Sequence, residues 1–254
     1  MKVTLSMRIP KNPPIPVEAE MIIPQSFYQG ISIELYEGNK KRGLEEIFDV
    51  TIEGEADSPD EVEIVLCGDT GRLKRVGQKM GSGKITIFGD AGMHFGNFMS
   101  GGTITIHGNA GSWLGSGMTG GLITCHGDAS HFCGAAYRIG CKGMEGGKIE
   151  VYRNSGDFTA GYLSGGTIHI HGRSGDLSGV GLRSGELLID GDSERVCGGM
   201  TGGRCIVSGR VYDMLPTFEK KGTVRIGGKK FCRFEGDMAN NGKGELVVSS
   251  FFNY

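Results

Sequence analysis

A seven-residue phrase recurs at a fixed interval through the middle of this chain. Gly83-Lys84-Ile85-Thr86-Ile87-Phe88-Gly89 is followed by Gly102-Thr103-Ile104-Thr105-Ile106-His107-Gly108 and by Gly121-Leu122-Ile123-Thr124-Cys125-His126-Gly127, each 19 residues after the last. Self-similarity at a period near 20 residues constrains the fold more than any other feature, because it marks a chain built from stacked copies of one unit. Variant copies start at Val62, Gly147, Gly166, Gly185, Gly203 and Gly222, giving nine in all over residues 61–228. One step, from Gly121 to Gly147, is 26 residues long and so carries seven extra.

Each copy holds two apolar positions separated by one residue. The first column runs Ile64, Ile85, Ile104, Ile123, Ile149, Ile168, Leu187, Cys205, Val224, and the second Leu66, Ile87, Ile106, Cys125, Val151, Ile170, Ile189, Val207, Ile226. Alternation with period two predicts a strand with one buried face, and β-branched residues, which dominate both columns, suit a pleated surface. The residue between them is mostly polar, as Thr86, Thr105, Thr124, Glu150 and His169 show. A strand this short cannot bury its face alone, so the copies must stack in register around a common interior. Parallel crossovers are nearly always right-handed. The predicted fold is all-β, a right-handed parallel β-helix of about nine 19-residue rungs.

Two further columns support a wrapped coil over a row of hairpins. Met80, Met99, Met118, Met144, Leu163, Leu182 and Met200 stand three residues before each leading glycine or its equivalent, and Leu73, His94, Trp113, Phe132, Phe158, Leu177 and Val196 stand eleven after it. The methionine stripe reads as core filling, because flexible thioethers pack irregular interiors. The excess of glycine, 47 residues where average usage of ~7% gives about 18, follows the same period and marks corners. It does not cradle a nucleotide, since no glycine loop here joins a strand to a helix.

The net charge of −2 gives no basic footprint for nucleic acid. No apolar run is long enough for a membrane span, and residues 1–11 have no signal-peptide core, so a cytoplasmic location is expected. The seven cysteines, at 67, 125, 133, 141, 197, 205 and 232, contain no C-x-x-C and read as reduced and structural.

Outside the repeat, residues 1–60 hold six of the seven prolines and carry a net −5, and they read as a capping and docking segment. Phe48-Asp49-Val50-Thr51-Ile52-Glu53 reads as a strand leading into the coil. The extra residues between Gly134 and Met144 project as a loop, and Tyr137, Arg138, Cys141 and Lys142 form the candidate partner-contact surface. Residues 229–254 read as a C-terminal cap whose apolar end either closes the last rung or enters another polypeptide.

No catalytic, cofactor-binding or metal residue is assigned. His107, His126 and His171 share one column with Tyr152, and His169 joins His171 in a H-x-H. No carboxylate is placed in that register, so the row reads as a solvent face. Asp90, Asp128, Asp157, Asp176 and Asp192 follow corner glycines, where aspartate suits turns. No serine or cysteine has a histidine and an acid at motif spacing.

The pattern G-x-x-G-x-x-x-G-x-x-x-x-G-G-x-I-x-I-x-G, present at Gly89, Gly92, Gly96, Gly101 and Gly102, resembles two families. One is the C-terminal domain of glutamate synthase. The other is the C subunit of formylmethanofuran dehydrogenase, with its relative in the formyltransferase/hydrolase complex. Gly134-Ala135-Ala136-Tyr137-Arg138 before Gly143-Met144, the block Leu215-Pro216-Thr217-Phe218, and Phe48-Asp49-Val50 favour the second. That resemblance implies an oxidoreductase complex that reduces CO2 and attaches it as a formyl group to methanofuran, the first step of methanogenesis. It implies partners that hold the chemistry: an amidohydrolase-like A component with a dinuclear metal site, B and D components with a tungsten- or molybdenum-pterin, and iron–sulfur proteins. It implies no cofactor on this chain, which would brace the catalytic components.

Overall fold

The computed structural model describes residues 1–9, 15–137 and 142–252. Among the described residues the regular structure is mostly strand, with two short α-helices, Pro24–Tyr28 and Leu44–Ile47. No helix among the described residues is long and apolar enough to cross a membrane.

The repeats pair side by side and parallel. Glu63–Cys67, Lys84–Phe88, Thr103–Ile106, Leu122–Cys125, Glu145–Val151, Ser164–Ile170, Ser184–Ile189 and Arg204–Tyr212 are neighbours in that order within one sheet. The register puts like on like: Ile64, Ile85, Ile104, Ile123, Ile149, Ile168, Leu187 and Cys205 are successive partners. All of these are fully buried, as is the parallel column from Leu66 to Val207. Full burial of one such side chain is worth about 1.5–3 kcal/mol, and a one-residue slip would turn both columns into water. The 26-residue step does not disturb the register, since Ile123 still faces Ile149. The methionine column is also fully buried.

Outside the strands, each repeat hydrogen-bonds to the one before. Single parallel bridges link Ala91, Ala110, Ala129, Ser155 and Ser174 in turn. The corner aspartates have a more specific role than a local turn. Asp90 accepts from the backbone N–H of Asn109 at 2.7 Å, Asn109 from Asp128 at 2.9 Å, Asp128 from Asn154 at 2.8 Å, and Asn154 from Arg173 at 2.9 Å. Each side chain thus satisfies a donor one repeat further on. The opening glycines are dictated by the same close stacking. Gly102 has φ of +79°, and a Cβ there would lie 2.6 Å from Met80 Cε and 2.7 Å from the Gly83 carbonyl oxygen.

Two expectations are corrected. The Gly222 copy does not join the parallel run. Glu219–Ile226 pairs antiparallel with Lys229–Gly236 around Gly227 and Gly228, whose φ values of +54° and +80° make a two-residue hairpin turn. The apolar tail, Gly244–Phe251, takes the ninth place beside Arg204–Tyr212, and Leu246 and Val248 fill the buried columns assigned to Val224 and Ile226. Second, Phe48–Glu53 does not lead into the coil. It pairs antiparallel with Lys2–Met7, which itself adds parallel to Glu63–Cys67, so the head supplies the outer edge. The column eleven residues after the glycine lies mostly toward the outside. His94, Trp113, Phe132, Phe158 and Leu177 have φ between 55° and 67°, and this left-handed step turns them outward. The next residues, Phe95, Leu114 and Cys133, fill the interior instead.

The head shares the core of the repeats. Val3, Leu5, Val17, Ile22, Leu35 and Phe48 pack in one cluster with the interior columns. Val17–Glu18 also pairs parallel with Leu73–Lys74, joining a second, four-stranded sheet to the first repeat.

Candidate functional site

Side chains with chemistry to offer lie on two outer columns. On the sheet face, Phe88, His107, His126, Tyr152 and His171 stack ring on ring, with centroids 4.7, 5.3, 5.0 and 4.8 Å apart. Those separations are set by the spacing of parallel strands, about 4.8 Å. At the His171 end the ladder runs into charge. Asp190 occupies the same column one repeat later, and its Oδ2 lies 2.9 Å from His169 Nε2 and 3.2 Å from His171 Nδ1. Glu150 Oε1 lies 3.2 Å from His171 Nε2. The absence of a carboxylate in the histidine register is therefore overturned. Asp190 stands five residues after Gly185, so the spacing already contained the signal. Glu150 sits two positions earlier in its own copy and directly beside His169. Partial burial works against its ionisation, but hydrogen bonds to His171 and Lys148 more than offset this and hold its carboxyl below the usual range.

The second column carries the predicted loop. His94, Trp113, Phe132 and Phe158 stack at 5.2, 4.7 and 5.2 Å. Tyr137 lies against this row, with its ring 5.4 Å from His94 and 5.7 Å from Phe98. Its hydroxyl is 2.7 Å from His94 Nδ1 and accepts from Asn97 Nδ2. Burial, helped by the charge of Arg75, lowers the His94 pKa, which suits a neutral ring accepting the tyrosine proton. Tyr137 is thus engaged by its own chain. Lys142 pairs with Glu145 at 2.7 Å on the surface. Arg138 and Cys141 lie outside the described residues. The loop stems are pinned, Ala136 N–H to Gly161 O at 3.0 Å and Gly143 N–H to Tyr162 O at 2.9 Å. Phe132, Ala135, Ala136, Tyr137, Phe158 and Tyr162 line an apolar hollow of about 260 Å³ beside it.

Four described cysteines, Cys125, Cys133, Cys197 and Cys205, are fully buried. Burial pushes the Cys125 thiol up to about 11 and that of Cys133 higher still. A hydrogen bond with Cys205, then burial, raises Cys197. Protonated thiols of this kind are small hydrophobes rather than ligands or nucleophiles.

A stack of parallel repeats with a closed apolar interior, presenting its polar groups along outer columns, defines an all-β repeat protein. No protein-family model matches the sequence. Among individual proteins, it is 50% identical over 256 residues to the C subunit of the tungsten-containing formylmethanofuran dehydrogenase 2 of Methanococcus maripaludis, with 92% of each chain covered. The chain belongs to the family of formylmethanofuran dehydrogenase C subunits. It is also 43% identical over 86 residues to the C subunit of the molybdenum-containing formylmethanofuran dehydrogenase 1 of Methanosarcina barkeri, a match spanning 32% of this chain and 28% of that one. A chain in the crystal structure of the formyltransferase/hydrolase complex (FhcABCD) from Methylorubrum extorquens, in complex with methylofuran, is similar over 96% of this chain and 98% of its own length, with a TM-score of 0.85 and 28% identity.

Proposed function

We propose that this chain is a non-catalytic structural subunit of a formylmethanofuran dehydrogenase complex, which reduces CO2 and attaches it as a formyl group to methanofuran, and that it braces the catalytic subunits there. The observation that carries this reading is the 50% identity extending over 92% of both chains. In this reading the fold is a right-handed parallel β-helix over residues 61–228, with 1–60 as a docking cap and 229–254 as a closing cap. The tungsten- or molybdenum-pterin, the iron–sulfur clusters and a dinuclear metal site belong to partner subunits in the cytoplasm. Tyr137, Arg138, Cys141 and Lys142 are read as contacting one of those partners, and Tyr137 also lines the apolar hollow.

The test is affinity purification of the tagged full-length chain from its native host. Co-purification of a pterin-metal protein, with CO2-dependent formylation in the assembly and none from the chain alone, is the expected result. Turnover by the pure chain would remove the reading. The extent of the structural match, 96% of this chain, favours a second assignment to a formyltransferase/hydrolase complex. Absence of both tungsten and molybdenum from the purified assembly would select it.

A further inference from the structure

We propose that Glu150, His169 and His171, with Asp190 orienting the imidazoles, form a site for one divalent first-row transition cation, Zn²⁺ by preference, that staples three consecutive repeats together. One ligand atom each from Glu150, His169 and His171 lies within 4.8 Å of the others. Asp190 supports the set from outside it: its Oδ2 lies 2.9 Å from His169 Nε2 and 3.2 Å from His171 Nδ1, the ring nitrogen of His171 opposite the one that faces Glu150. Ligands of a tetrahedral zinc at ~2.0–2.1 Å stand roughly 3.3 Å apart, so these three need only a small side-chain adjustment to close on the ion, with water as the fourth ligand. Two imidazoles and a carboxylate suit zinc and its first-row neighbours better than magnesium or calcium, which take oxygen alone.

The hydrogen bonding also points to a cation. His171 has a carboxylate oxygen 3.2 Å from each ring nitrogen, Glu150 at Nε2 and Asp190 at Nδ1. Both contacts are hydrogen bonds only while the ring carries two protons. A neutral ring leaves one nitrogen lone pair facing an anionic oxygen. A cation bound at one of these ring nitrogens replaces that repulsion with coordination, while the other nitrogen keeps its proton and donates to its carboxylate. Lys148 holds the other carboxylate oxygen of Glu150 at 3.2 Å, leaving Oε1 to turn inward. The supporting backbone is rigid, because Glu150, His169 and Leu188 are in-register partners on adjacent strands. Sites on such elements hold their geometry better than sites on loops. The three repeats that begin at Gly147, Gly166 and Gly185 each contribute, so a bound cation would stabilise the stack by linkage.

The experiment uses the full-length chain, stripped with a chelator and titrated calorimetrically with Zn²⁺ alone. One equivalent should bind saturably and raise the melting temperature. Co²⁺ in place of Zn²⁺ should give the visible bands of a four-coordinate nitrogen and oxygen site. The double variant His169→Asn with His171→Asn should lose at least a hundredfold in affinity. The double variant His107→Asn with His126→Asn, in the same ring ladder but away from the carboxylates, should bind as the parent does. Should the first double variant fail to fold by circular dichroism, Asp190→Asn decides, with a loss of at least tenfold expected. The absence of a saturable equivalent in the parent chain, or undiminished affinity in the folded His169/His171 or Asp190 variant, would overturn the proposal.

Discussion

Ile104 sits where the stack leaves no room for a side chain on the facing glycines. Its Cδ1 would lie 2.6 Å from a Cβ placed on Gly77 and 3.2 Å from one on Gly96, so the glycines of earlier corners exist to admit it. Ile104→Asp should destabilise the chain by about 4 kcal/mol, since the carboxylate would be buried without a partner or forced to stay protonated. Chemical denaturation of the full-length chain measures this, and an unchanged midpoint would mean the column does not face inward. Asp237 gives the complementary case of a buried acid that is satisfied. Its side chain accepts from Gly199 N–H and Ala239 N–H, both at 2.9 Å. Burial opposes its ionisation, but the Thr217 hydroxyl, these two N–H groups and Asn240 together outweigh it and lower its pKa. A depressed folded value means the stabilisation is fully present above the ordinary aspartate pKa of ~3.9 and is lost as the pH falls through the lower folded value. Asp237→Asn should therefore cost about 1.5–3 kcal/mol at neutral pH. Paired denaturation curves should show that difference shrinking below about pH 4.

The strands were legible because their chemistry is periodic. Residues such as Ile85, Ile104 and Ile123 announce a buried face, and the parallel register follows from identical spacing. The outer columns were harder to place. A left-handed φ at His94 or Trp113 shifts the inward direction by one residue, and a non-glycine side chain gives no warning of it. The role of Asp90 or Asn109 was invisible for a related reason: the donor it satisfies is local in space but a full repeat away in sequence. The Gly222 copy deceived because it carries the right residues but is followed by Gly227-Gly228, where the chain reverses. That hairpin tests the element scale. Replacing Gly228, at φ +80°, with Val should unseat Glu219–Ile226, because β-branched side chains are strongly disfavoured there. The strand Lys229–Gly236 would then lose the outer of its two antiparallel partners and present an open edge. Light scattering on warming should report earlier aggregation than in the parent, with the melting of the central repeats little changed.

Across the whole molecule, the two ends are finished differently from the middle. The sheet terminates at Phe48–Glu53 on one side and Glu219–Ile226 on the other, both in antiparallel pairs. The second carries Lys220, Lys221 and Arg225 along its length, a charged edge of the kind that discourages further pairing. The parallel run between them keeps its register across the 26-residue step, so extra chain is absorbed at a corner without altering the stack.

The nearly constant 19-residue step makes the molecule a ruler with discrete graduations. Because successive strands lie about 4.8 Å apart, duplicating one internal repeat would move whatever grips the head and whatever grips the tail apart by that increment and no fraction of it. A lineage could lengthen or shorten the gap between two attached machines by whole notches, through recombination between near-identical copies, without redesigning either grip.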